Sequence, residues 1–142
     1  MLHRGHVRYR IYKQDVKPNA GSEDTSFLPK VGKRRWVLIT ADWHQRTRPR
    51  EIADMERYRV RHFALDGNLS AADKATLIVK AKNSIKACCR DNAGFVSANV
   101  SRDGSVRVIR DSQGSLHERG IEKVYKDGNL KESKAKTADA VR

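Results

Sequence analysis

One stretch constrains the fold more than any other, RWVLITADWHQRTRPREI, Arg35 to Ile52. It opens with an apolar, β-rich run, Trp36 to Thr40, which has the composition of a strand buried on both faces. The run stops at Ala41-Asp42, and Pro49 can open a helix because a first-turn proline gives up no hydrogen bond. Open α/β sheets bind ligands where such strands end. The stretch therefore predicts an α/β fold with a ligand site at the carboxyl end of this strand.

The loop after this strand indicates chemistry on phosphates. Asp42 offers a carboxylate for a metal ion, and the next basic side chains, His44, Arg46 and Arg48, offer contacts to phosphate groups. The alternative is that Asp42 caps a turn and that the basic side chains form a solvated surface. The residues of the loop leave both interpretations open.

The charge balance favours a polyanion as partner, with nucleic acid first. Lys and Arg number 30 against 17 acidic residues, a net charge of +13. Residues 1–110 hold 23 basic and 11 acidic residues, an excess of 12, whereas residues 111–142 hold 7 and 6. The basic character therefore belongs to the first part of the chain. No apolar run approaches the roughly 20 residues of a membrane span, so we expect no membrane partner.

The two cysteines, Cys88 and Cys89, are neighbours in a helical pattern. Adjacent cysteines rarely form a relaxed disulfide, and two cysteines alone cannot complete a zinc site. We expect reduced thiols in a cytoplasmic protein, at least one of them packed inside.

Strand and helix patterns alternate along the first 110 residues. Strands are predicted at 6–12, 36–40, 60–65, 95–101 and 105–110, and helices from residue 22 (shortened or kinked by Pro29), over 49–59 and from a Ser70 N-cap to about residue 90. Asp103-Gly104 predicts a hairpin between the last two strands. This order favours a parallel sheet closed by an antiparallel hairpin.

Beyond residue 110 the pattern weakens. We expect residues 1–110 to form the domain and residues 111–142 to form a flexible or marginally structured tail. A marginal strand or helix around Ile121 to Tyr125 is the exception that the pattern allows.

An ordered set of short motifs runs through the same region. Glu23-Asp24 open a helix before a Phe-Leu-Pro segment, a Trp-led strand ends in Thr-x-Asp at Asp42, and Arg-Pro-x-Glu ends at Glu51. Phe-x-Leu, Gly-Asn-Leu-Ser and a later Phe segment with Asp-Gly follow in order. From about residue 6 to residue 110 the chain resembles the PIN-like domain of the VapC-toxin type. The resemblance implies a PIN-like (Rossmann-like), mostly parallel sheet flanked by helices, with the hairpin at its C-terminal end.

The resemblance also implies an activity, metal-dependent cleavage of RNA. Asp24 and Asp42 would be the metal-site acids for Mg²⁺ or Mn²⁺, and Thr40 would orient a carboxylate or a bound water. Glu51 would be either a further metal-site acid or a helix-dipole or salt-bridge residue. The RNA backbone would meet His44, Arg46 and Arg48. The VapC type further implies an antitoxin protein as partner.

The chain departs from the family pattern at its front. Family members place a strand ending in an acid, and then a helix, before the counterpart of Gly5-His6. We expect an upstream start, a truncated gene or a remnant, and these alternatives stay open. Without that strand, the strands at 6–12 and 36–40 lose the neighbour between them. Direct pairing of the two, insertion of the segment 121–126 or a strand donated by a second chain could close the gap. The last option would make a homo-oligomer.

Two functions follow. The first is a PIN-like ribonuclease, the toxin of a toxin–antitoxin pair, with its activity intact or lost by truncation. The second is a non-catalytic nucleic-acid- or partner-binding PIN-like remnant. The resemblance favours the first. Two carboxylates hold a metal weakly, which favours the second for the chain as it stands.

Overall fold

The fold of this chain is α/β, as the sequence predicts. The computed structural model describes residues 2–3 and 6–7, residues 28–41 and residues 49–134. The strands are β1 (Leu2–His3), β2 (His6–Val7), β3 (Val37–Ala41), β4 (Arg61–Leu65), β5 (Val96–Val100), β6 (Val106–Asp111), β7 (Gly114–Ser115), β8 (Ile121–Lys126) and β9 (Asn129–Lys134). The helices are α1 (Leu28–Lys33), α2 (Pro49–Arg57) and α3 (Ala71–Asp91).

Seven of these strands form one mixed sheet. Its order is β3-β4-β5-β6-β8-β9, and β7 pairs with β6 beside this path. β3, β4 and β5 are parallel, whereas each of the other pairings in the sheet is antiparallel. The sheet is therefore mixed rather than mostly parallel. The remaining strands, β1 and β2, pair antiparallel with each other.

Hydrophobic side chains pack in two clusters on opposite faces of the sheet. Phe63 and Leu65 of β4 pack with Leu77 and Ile85 of α3 in the larger cluster. Val60, just before β4, packs with residues of α1 and α2 in the smaller one. Because successive residues of a strand point to opposite faces, this alternation places α3 on one face and α1 with α2 on the other.

Local signals account for where the helices begin. The Ser70 hydroxyl accepts a hydrogen bond from the Asp73 amide at 3.1 Å, so α3 begins with the predicted N-cap. Pro49 is the first residue of α2, as its sequence context predicts. Pro29 lies in the first turn of α1, where a proline removes no helical hydrogen bond. The predicted helix start at Ser22 lies outside the described residues.

Residues 114–134 differ from the expected tail because they add three strands to the sheet. Tyr125 of β8 and Leu116 are 1% and 2% exposed and belong to the larger cluster. Asp127 and Gly128 have φ values of 53° and 82°, the left-handed pair that a tight hairpin turn requires. The Gly128 amide donates to the buried Ser84 hydroxyl of α3 at 3.1 Å. Burial of Tyr125 and Leu116 holds this hairpin on α3. The segment IEKVYK, residues 121–126, predicts such burial only weakly.

The position of β8 rules out one of the three ways to close the predicted gap. β8 pairs with β6 and β9, on the opposite side of the sheet from β3. Among the described residues β3 pairs with β4 alone, and Val37 is 36% exposed. The expectation that this strand is buried on both faces is wrong for the described part of the sheet. The predicted strand at 6–12 lies outside the described residues apart from β2.

Candidate active site

The structure describes two of the predicted site residues. Thr40 lies near the carboxyl end of β3, half-buried, and Glu51 lies half-buried in the first turn of α2. The other five, Asp24, Asp42, His44, Arg46 and Arg48, lie outside the described residues. Their roles stay predictions.

A row of hydrogen-bonded polar side chains crosses the three parallel strands at Thr40. The Thr40 hydroxyl lies 2.8 Å from Nε2 of His62 in β4. On the other side of the ring, Nδ1 lies 2.9 Å from the Ser97 hydroxyl of β5. His62 and Ser97 are only 4% and 1% exposed. We call Thr40, His62 and Ser97 the polar row.

Strand register explains why these three side chains meet. His62 lies opposite Leu38 of β3 and opposite Ser97 of β5, and Thr40 is two residues beyond Leu38 on the same face. Leu38 packs with the smaller cluster, so the polar row lies on the α1 and α2 face of the sheet. The row therefore continues that apolar cluster toward the carboxyl ends of the strands.

The hydrogen bonds of the polar row position the Thr40 side chain. A neutral imidazole would donate from one nitrogen and accept a hydroxyl proton at the other, whereas an imidazolium would donate to both hydroxyls. In either form His62 limits the rotamers of Thr40. The constrained hydroxyl is that of Thr40, which lies two residues before Asp42 in the sequence.

Sequence reasoning missed His62 and Ser97. The available signal was the presence of polar side chains within otherwise apolar strands, Arg61 and His62 at 60–65 and Ser97, Asn99 and Ser101 at 95–101. No local rule states which residues of neighbouring strands face each other, so the row could not be assembled from the sequence.

A carboxylate at the carboxyl end of β4 is already engaged. The Asp66 carboxylate accepts two hydrogen bonds from the Arg102 guanidinium, at 2.7 and 3.1 Å, and one from the Asn68 amide at 2.9 Å. These bonds join the β4–α3 turn to the β5–β6 turn. Asp66 therefore has a structural role at this edge of the sheet.

The predicted metal site depends on acids that the structure does not describe. Across residues 28–41 and 49–134, no group of three or more His, Cys, Asp or Glu side chains is placed to hold a metal ion. The predicted metal-site acids, Asp24 and Asp42, lie in the remaining segments. Glu51 is the described carboxylate of the predicted set, and its position in the first turn of α2 also suits the helix dipole.

The cysteines do not supply a nucleophile. Cys88 and Cys89 are free thiols, and Cys88 is fully buried. Burial raises the pKa of both thiols above the ordinary value, for Cys88 together with the charges of Cys89 and Asp91. Both side chains are therefore protonated near neutral pH, and Cys88 serves the hydrophobic core.

A polar cavity of about 210 Å³ lies at the opposite end of the parallel strands, beside Asp91, Asp111 and Lys123. Its carboxylates have partners: Asp91 accepts a 2.8 Å hydrogen bond from the Tyr125 hydroxyl, and Asp111 accepts one of 2.8 Å from Arg119. Burial raises the pKa of Asp111, but hydrogen bonds from Arg119 and the Gln113 amide outweigh it and hold the pKa below its ordinary value. The contact between Asp111 and Arg119 is therefore a structural ion pair.

Comparison with known proteins extends the sequence interpretation. A family model described as PIN like domain matches residues 2–67. The match supports a PIN-like domain. It contains Asp24, Thr40, Asp42 and Glu51 and ends just after β4, whereas the motif resemblance extends to about residue 110. Searches of curated proteins and of solved structures find no match.

The PIN-like match thus covers the part of the chain that includes Thr40 and His62, but not Ser97.

No helix in the described part of the chain is long and apolar enough to cross a membrane.

Proposed function

We propose that this chain is a metal-dependent ribonuclease of the VapC-like, PIN-like type, the toxin component of a toxin–antitoxin system. The observation that carries the proposal is the PIN-like match over residues 2–67, which spans Asp24, Thr40 and Asp42. The position of Thr40 near the carboxyl end of a parallel strand, where α/β sheets bind ligands, also supports it.

In this proposal Asp24 and Asp42 hold Mg²⁺ or Mn²⁺, with Glu51 as a further acid. A divalent ion there would neutralise charge on a phosphate and orient a water. His62 holds the Thr40 hydroxyl, and Thr40 orients the Asp42 carboxylate or a water. His44, Arg46 and Arg48 contact the RNA backbone. The proposed setting is the cytoplasm, with an antitoxin protein as partner.

Asp42→Asn tests the assignment because it keeps the shape of the side chain and removes its charge. We expect purified wild-type protein to cleave RNA only with a divalent ion, and the variant to lose cleavage with an unchanged melting temperature. Asp103→Asn, in the exposed β5–β6 turn, is the control and should leave cleavage unchanged. Equal cleavage by Asp42→Asn, or full activity in excess chelator, would contradict the proposal.

The second candidate is a non-catalytic PIN-like domain that binds nucleic acid or a protein partner. The observation that favours it is a set of exposed cations, described below, that form no ion pair with any other described residue, because binding through such groups needs no catalytic acids. RNA binding without cleavage, at any divalent ion concentration, would select it. Self-association through an exposed strand is compatible with both candidate functions. Sedimentation of the chain alone would detect it.

A further inference from the structure

The connections that lead into β3 and β4 gather basic side chains at one end of the sheet. Because these strands are parallel and in register, with Val37 opposite Arg61, the turns before them lie side by side. A side chain on Gly32 of α1 would come within 2.0 Å of the Tyr58 carbonyl oxygen after α2, so the two helix ends touch. We call the exposed cations at these ends the crossover patch: Lys30, Lys33, Arg34, Arg35, Arg57 and Arg59.

The crossover patch has aromatic rather than acidic neighbours. Within the described residues none of its cations forms an ion pair, whereas Arg102, Arg107 and Arg119 elsewhere each pair with a carboxylate. The Arg34 guanidinium lies 5.5 Å from the Trp36 ring centre, and that of Arg57 lies 5.3 Å from the Tyr58 ring centre. The patch is therefore a concentration of positive charge in which Arg34 and Arg57 lie against ring faces.

Two members of the patch occupy backbone positions that favour glycine. Arg35 and Arg59 have φ values of 55° and 57°, the left-handed conformation at the ends of α1 and α2. At each end the next amide closes the helix: Trp36 donates to the Val31 carbonyl at 3.0 Å, and the corresponding bond after Arg59 is 2.8 Å.

A cation near a helix C-terminus gains some energy from the helix dipole, but glycine would remove the backbone strain. The chain places arginine at both equivalent positions. Backbone strain that persists at both arginines indicates that their side chains have a function.

We propose that the crossover patch binds the phosphate backbone of a single strand of RNA. Guanidinium groups match phosphate oxygens with two parallel hydrogen bonds, which suits the arginines of this patch to phosphates. Arg35 lies two residues before β3, and at about 3.3 Å per residue the first residue of β3, Val37, lies roughly 10 Å from Thr40 along the strand. The patch therefore anchors the strand away from the candidate active site. This inference rests on the proposed function only in the choice of RNA as the polyanion.

The test removes charge and strain together in the double variant Arg35→Gly/Arg59→Gly of the full chain. Binding of an oligouridine is measured at several salt concentrations in excess chelator, so that cleavage plays no part. Losing two phosphate contacts should reduce the slope of log affinity against log salt by about 1.4, at about 0.7 per contact on a single strand. The melting temperature should rise, because glycine accepts the left-handed backbone. Weaker binding by a more stable protein is the expected pair of results.

The matched control is Lys131→Ser/Lys134→Ser, which removes the same charge from exposed positions of β9. It should leave the salt slope within error of wild type. A second variant, Arg34→Gln/Arg57→Gln, avoids the left-handed positions and should reduce the slope as the glycine variant does.

Three results would overturn the inference. They are an unchanged slope in both patch variants, an equal loss in the β9 control, and patch-dependent binding to phosphatidylserine vesicles with RNA binding unaffected. The proposed function is judged separately by the loss of RNA cleavage in Asp42→Asn, a measurement made with the divalent ion present and therefore independent of this binding assay in excess chelator.

Discussion

We call β3 and β4 with the described residues around them, 28–41 and 49–65, the parallel half, and β5 to β9, residues 96–134, the antiparallel half, although β5 itself also pairs parallel with β4. The two halves handle their polar groups in different ways. In the antiparallel half, buried Asp111 pairs with Arg119 at 2.8 Å, and Arg107 pairs with Glu122. In the parallel half, the hydroxyls of Thr40 and Ser97 contact the buried His62, and the cations of the crossover patch form no ion pair among the described residues. The described ion pairs that involve a buried carboxylate therefore lie outside the parallel half.

One strand from each half, β3 and β6, also differ in how completely they are covered. β3 has no fully buried residue, whereas Val106 and Val108 of β6 are 0% and 3% exposed. The antiparallel half thus supplies much of the stabilising core, although its C-terminal strands have the weaker sequence pattern. The PIN-like match covers the parallel half and stops before β5.

The largest expected effect comes from emptying the core beneath β8. Tyr125→Ala should lower the free energy of unfolding by about 3–5 kcal/mol, the range for large aromatic residues in cores, because Tyr125 is 1% exposed. Leu130→Ala, on the same hairpin but 42% exposed, should change it by less than about 0.5 kcal/mol. Denaturant titration of both variants measures the difference. Similar small losses would show that the hairpin is not part of the cooperative unit.

Breaking the buried ion pair should have the next largest effect. Asp111→Asn removes the anion that Arg119 binds, and because the Arg119 side chain is 25% exposed the cost should be roughly 2–3 kcal/mol at neutral pH. The exposed pair of Arg107 and Glu122 is the control. Glu122→Gln should lower the free energy of unfolding by no more than about 1 kcal/mol.

The pH dependence of stability gives a second measurement on the same pair. The pKa of Asp111 is lower in the folded chain, so its contribution is complete above the unfolded pKa of about 3.9 and is lost as pH falls through the folded pKa. The stability difference between wild type and Asp111→Asn should therefore stay constant from neutral pH to about pH 5 and narrow below about pH 4. A difference independent of pH would contradict the assigned ion pair.

The polar row should show the smallest effect and the sharpest contrast. His62→Leu leaves two hydroxyls without a partner and should cost about 1–3 kcal/mol. The triple variant Thr40→Val/His62→Leu/Ser97→Ala replaces the whole row with apolar groups and should recover most of that loss. Thermal melting compares the variants, and a triple variant less stable than His62→Leu would contradict the hydrogen-bonded row.

Local signals were sufficient for several elements of this protein. Ser70 with Asp73 at the correct spacing, the turn at Asp103-Gly104 and the proline at 49 each specify a structure within a few residues of chain. The helices and strands that they bound, α2, α3, β5 and β6, lie where the pattern predicts them. The positions of Thr40 and Glu51 also follow from the order of these elements.

The sequence by itself determined the α/β class, the basic character of the first 110 residues and the position of Thr40 at the end of its strand. Only the tertiary structure decided that β8 and β9 join the sheet, that His62 connects Thr40 to Ser97, and that arginines 24 residues apart, Arg35 and Arg59, face the same end. Each of these depends on which residues of separate strands lie opposite each other. That register is set by burial across the whole sheet, and no local stretch of sequence contains it.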